Sequence, residues 1–203
     1  MSITTTETRL PTRAVGTRTA VTAAGVVAAL ACAGYISGFV FMSDLSTAEA
    51  VRAPVTVAEC LLAGTAYLVI AITLGGLAQV TALPRWTLTL AAAGCGLIAI
   101  QAWMYGTIAA DLARLLPEQQ FEQMPDQAVL MQLLYLPMGV VCLVGFAALA
   151  VVGWRRRALP KGVCALLVVA GLASLLGPFP PVGLLGGLAL CWLARAAKSA
   201  QIH

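Results

Sequence analysis

Six apolar runs alternate with short polar segments along this chain, at residues 19–42, 57–80, 86–109, 127–153, 162–177 and 179–195. A hydrocarbon core about 30 Å thick is crossed by about 20 apolar residues in helical form. Lipid offers no partner for backbone N–H and C=O groups, so an unbroken apolar run of that length resolves as a helix. The pattern predicts an all-α fold, a polytopic membrane helix bundle with six transmembrane helices over residues 19–195. Residues 1–18, rich in Thr and Arg and without apolar periodicity, are expected to be a disordered tail, and 196–203 a second, shorter tail. The first run is followed by Ala48-Glu49-Ala50, which has the small-x-small form of a signal-peptide cleavage site. Its 24 residues exceed the 7–15 or so of a signal-peptide core, so a retained helix is expected. The last two runs are short for two crossings. A helix over 162–177 reaches only about 24 Å, which leaves bilayer thinning and a re-entrant hairpin both open.

The polar segments set the orientation. Arg9, Arg13 and Arg18 precede the first run, Arg85 separates the second from the third, and Arg155, Arg156, Arg157 and Lys161 separate the fourth from the fifth. Arg195 and Lys198 follow the sixth, leaving Arg52 and Arg114 alone on the opposite side. Lys and Arg are retained in the cytoplasm during insertion, so both termini are expected to be cytoplasmic. The inner segments hold ten basic residues and one acid, Glu7, a net of +9. The outer side holds two basic residues and seven acids, counting Glu59 at the rim of the second run, a net of −5. Trp86, Trp154 and Trp192 fall at the inner boundaries, where amphipathic rings settle, and Trp103 and Tyr105 fall toward the outer one. The longest loop, 110–126, contains Pro117 and Pro125, which limit any helix there to short pieces.

Composition narrows the function classes. The chain is 61% hydrophobic and 10% charged, with a mean hydropathy of +0.94. A soluble domain carries roughly a quarter charged residues, so there is too little polar surface here for a water-exposed globule. The net charge of +4 comes from residues that punctuate the runs and form no patch with interleaved aromatics, so nucleic acid is not an expected partner. Six cysteines, at 32, 60, 95, 142, 164 and 191, lie in separate runs and read as small packing residues. The single histidine is the last residue, His203, which removes histidine-based metal, haem and Ser-His or Cys-His chemistry from the bundle. No cofactor or metal is expected. GxSxG, HExxH and Walker-type signatures are all missing from the sequence, and an enzymatic role is not expected.

A few polar positions inside the runs are candidates for function. Gln101 and Gln132 lie in the outer halves of the third and fourth runs, and Tyr135 shares a helical face with Gln132. Pro137 deprives the carbonyl of Leu133 of its usual donor, so a kink is expected there. Together these four residues outline a small polar pocket between the third and fourth helices, or a set of hydrogen bonds that locks the bundle. Glu59 is read as a rim carboxylate in reach of water. Gly34-x-x-x-Gly38 and Gly183-x-x-x-Gly187 are helix-packing motifs, serving contacts within the chain or an oligomeric seam. Leu83-Pro84-Arg85 and Leu159-Pro160-Lys161 repeat one theme at the cytoplasmic starts of the third and fifth helices, where proline suits the first helical turn.

The stretch Gly139…Gly145-Phe146…Trp154-Arg155-Arg156-Arg157-Ala158-Leu159-Pro160-Lys161, leading into a glycine-rich hairpin, resembles the C-terminal half of a family of uncharacterised six-helix bacterial membrane proteins, a domain of unknown function. The resemblance implies six helices and a bacterial plasma membrane, and brings no activity or site residues. The leading expectation is a structural or accessory membrane component that works through helix contacts with itself or a partner. The alternative is a small-solute transporter or permease using the pocket of Gln101, Gln132, Tyr135 and Pro137.

Overall fold

A computed structural model describes residues 12–41, 45–127, 129–175 and 179–197, with side chains left aside at 12–15, 39, 124–134 and 179. Every described element is helical: α1 (Thr12–Phe41), α2 (Thr47–Arg52), α3 (Pro54–Leu74), α4 (Arg85–Met104), α5 (Ala110–Leu115), α6 (Glu118–Gln127), α7 (Val129–Arg155), α8 (Lys161–Ala173) and α9 (Phe179–Ala196). A 3-10 turn, Gly75–Gln79, extends α3, and a π-helical turn, Tyr105–Ala109, joins α4 to α5. The all-α expectation holds. Four helical stretches are long and apolar enough to cross a membrane: Gly16–Gly38, Pro54–Gln79, Arg85–Leu115 and Tyr135–Arg155. Lys161–Ala173 and Pro180–Ala196 are apolar but shorter.

The boundaries differ from the sequence reading in instructive places. α1 begins at Thr12, so residues 12–18 are helix and not tail, while 1–11 and 198–203 lie outside the described residues. The segment 43–56 contains α2, started by a capping box in which Ser46 Oγ accepts from Glu49 N–H and the Glu49 carboxylate accepts from Ser46 N–H. α8 stops at Ala173, well before the end of the apolar run, and Ser174 Oγ donates to the carbonyls of Gly171 and Gly139 at 2.6 and 2.9 Å. The turn residues Gly177 and Pro178 lie outside the described residues. Pro84 and Pro160 stand at the N-caps of α4 and α8 in extended conformation, one position ahead of the first helical turn.

The six longer helices pack as a closed ring in the order α1, α3, α4, α7, α8, α9, with α9 returning against α1. Glycine sets the closest approach between first and last: a Cβ on Gly187 would lie 2.9 Å from the Gly25 carbonyl oxygen and 3.0 Å from Ala29 N. At the centre the fully buried Tyr67 and Phe146 rings meet the bare backbone of Gly186, and Tyr67 Oη donates to the Gly183 carbonyl. The outward faces are as apolar as the core, with Leu30, Ile72 and Leu136 exposed, the all-round pattern of a helix in lipid. Hydroxyls on those faces need no partner outside, since Thr65, Thr73, Thr89 and Thr107 each donate to the carbonyl four residues back.

The two ends of the ring differ in charge. α2, α5 and α6 cap one end, where Phe121 is buried against Ala48, Val51, Ala109 and Ala113 and Glu49, Asp111, Glu118 and Glu122 are on the surface. The other end holds Arg18, Arg85, Arg155, Arg156, Arg157, Lys161 and Arg195. There Arg18 donates to the Val80 carbonyl at 3.2 Å and the Ala197 carbonyl at 3.0 Å, tying α1 to the ends of α3 and α9.

Candidate functional site

Beneath the acidic cap, α1, α3, α4 and α7 bring polar side chains to one level of the bundle. α4 ends by widening into the π-turn, a feature that frequently marks functional sites because one residue is squeezed out of register. Tyr105 opens that turn, and its N–H is shared between the carbonyls of Gln101 and Ala102. Its phenol is hydrogen-bonded to that of Tyr135 on α7. Tyr35 on α1 lies in electrostatic range of Glu59, Cys60 and Tyr135. Cys32, Cys60, Ala63 and Ala102 pack beneath Tyr35 and Tyr105 as the apolar floor.

Glu59 belongs to this cluster more closely than a rim position implies. It is partly buried on α3, and its carboxylate fills the space left by Gly34, where a Cβ would collide with Oε1. One turn further along α3, Gly64 likewise makes room for the indole of Trp103. Gly34 is therefore a seat for a carboxylate within the chain. Of the other packing glycines, Gly183 supplies the acceptor for Tyr67, Gly187 meets α1, and Gly38 has open space where a side chain would stand.

Gln101 lies one helical turn before Tyr105 on the same face of α4. It is only 5% exposed, and its Oε1 has no hydrogen-bond partner among the described residues. A buried acceptor left unpaired costs about 1–3 kcal/mol, so such an atom in a folded protein calls for a reason. Of the four pocket residues expected from sequence, Tyr135 joins the cluster through Tyr105, and Gln101 is buried on α4 one turn before Tyr105. Gln132 lies on α7 a turn before Tyr135, with its side chain outside the described residues. Pro137 is an exposed residue within α7.

Sequence reasoning missed Tyr35, Tyr105 and Trp103 as site residues. Tyr105 had a signal, its spacing of four from Gln101, while Tyr35 and Trp103 join through helix packing alone. Among the described residues no group of three or more His, Cys, Asp or Glu is placed to hold a metal ion. Comparison with family models, curated proteins and solved structures finds no match to this chain.

Proposed function

We propose that this chain is a multi-pass protein of a bacterial plasma membrane that binds a small, hydrogen-bond-donating amine or related cation beneath its acidic cap, as a carrier or solute-responsive component. In this reading all six long helices of the ring cross the bilayer, the basic end faces the cytoplasm, and both termini lie there. The ten-to-two division of basic residues supports that orientation. The observation that carries the site is the unpaired, buried Oε1 of Gln101, on the helix turn before the Tyr105 that pairs with Tyr135. An N–H donor satisfies that oxygen, the Glu59 carboxylate supplies the countercharge, and the faces of Tyr35 and Tyr105 suit a cation. Surface acids on the cap raise the local concentration of cations at the entrance.

Methylammonium serves as the probe. It is expected to raise the thermal midpoint of the detergent-purified chain, and to do so far less for Glu59→Gln. Gln101→Leu removes an unpaired acceptor, so its own stability is expected to rise by about 1–3 kcal/mol while the response to methylammonium disappears. A wild-type midpoint indifferent to methylammonium sinks the amine reading. The accessory-component reading is favoured by one observation, the open Gly38 beside exposed Val40 and Phe41 at the end of α1. Both readings are non-enzymatic.

A further inference from the structure

The basic end of α7 terminates in a Schellman turn, with Arg157 N–H donating to the Trp154 carbonyl and Ala158 N–H to the Gly153 carbonyl, each at 2.9 Å. That turn requires one residue in the left-handed region, a position glycine ordinarily holds because other side chains are strained there. Here the residue is Arg157, with φ at 52°.

Arg157 lines a groove of about 870 Å³, together with Val151, Trp154, Arg155, Leu159 and Lys161, and Ala196 of α9 stands on the same groove. Val151, Trp154 and Leu159 give it an apolar wall that starts at the membrane-facing surface of α7, where Val151 and Trp154 are exposed. Arg155, Arg157 and Lys161 give it three cations, and among the described residues no carboxylate pairs with them. The two ion pairs described, Glu49–Arg52 and Asp111–Arg114, lie at the opposite end. Arg156, next in the chain, turns away and donates to the Ala82 carbonyl. The α8 N-terminus opens beside Lys161 without a side-chain cap, and its dipole adds positive potential. Membrane orientation asks only that cations lie on this side. It does not ask one of them to occupy a left-handed turn, nor three of them to share a groove with an apolar wall.

We propose that this groove holds the phosphate headgroup of an anionic phospholipid, with an acyl chain running along Val151. The site is separate from the one beneath the acidic cap and needs only that the helices sit in a bilayer. Basic pockets at the cytoplasmic ends of transmembrane helices have the chemistry for such headgroups.

The test is titration of the detergent-purified full chain with phosphatidylglycerol, phosphatidylcholine and inorganic phosphate, read by native mass spectrometry. Phosphatidylglycerol is expected to bind preferentially, and each cation removed from the groove to weaken it about fivefold. Arg157→Gly separates binding from folding, because glycine relieves the strained turn. Its thermal midpoint should hold or rise while its affinity for phosphatidylglycerol falls. Lys161→Gln should weaken binding similarly, and Arg85→Gln, at the same end but outside the groove, should not. Equal binding of the two lipids, unchanged affinity in Arg157→Gly, or equal weakening by Arg85→Gln would each overturn the site. Inorganic phosphate binding as tightly as the lipid would overturn the lipid assignment.

Discussion

Glycine serves opposite purposes in this bundle, depending on what stands across from its missing side chain. A Cβ on Gly145 would sit 3.0 Å from both Ala91 Cα and the Leu90 carbonyl oxygen, so α4 and α7 touch through backbone that cannot yield. Gly96, on α4, has nothing within 4 Å of the same position. Gly145→Ala is expected to destabilise by about 1–3 kcal/mol as the helices are forced apart. Gly96→Ala is expected to be neutral or to stabilise by up to about 1 kcal/mol through helix propensity. Unfolding of both variants in one detergent checks the contrast, and equal behaviour refutes the packing argument. Nothing in the sequence distinguishes these two glycines, because each is one small residue in an apolar run. Gln101 and Tyr135 were legible as polar interruptions of such runs. The seating of Glu59 on Gly34 was not, because it depends on the rotation of α1 against α3, which packing alone determines.

At the level of elements, the long helices could be read from hydrophobic length, and the short ones needed chemistry. α2 is only six residues, too short to hold by propensity, and its start is written in Ser46-Thr47-Ala48-Glu49, the reciprocal cap seen in the structure. Ser46→Ala is expected to cost about 1 kcal/mol locally, seen as faster hydrogen exchange at amides 48–51 with the long helices unaffected. Unchanged protection there would show that packing against α5, not the cap, holds α2. The end of α8 at Ala173 had no such signature, since the run stays apolar beyond it, and the hydroxyl of Ser174 just past it is bonded to the Gly139 carbonyl of α7. The π-turn was equally silent, because widening a turn by one residue changes no composition. It nevertheless decides where Tyr105 points and hence which phenols meet.

For the whole molecule, the charge pattern read along the chain reappears as two chemically distinct ends of a ring. The structure supplies sites that test which end faces the cytoplasm, since Gln119 and Arg156 stand at opposite ends of the ring and are exposed. In a cysteine-free background, Gln119→Cys is expected to react with an impermeant maleimide in intact cells, and Arg156→Cys only after permeabilisation. The reverse result would invert the topology. Ring closure itself was beyond the sequence, since no pattern of spans says that the last helix returns to the first.

The Arg18 tie gives that closure a temporal meaning. Its two acceptors leave the ribosome at very different moments, Val80 soon after the second long helix and Ala197 only after α9 is made. α1 therefore makes only half of this tie until α9 has been made. Until that final carbonyl arrives, the basic end of the bundle lacks its tie between α1 and α9, so the residue just past α9 completes a contact begun by the first long helix described.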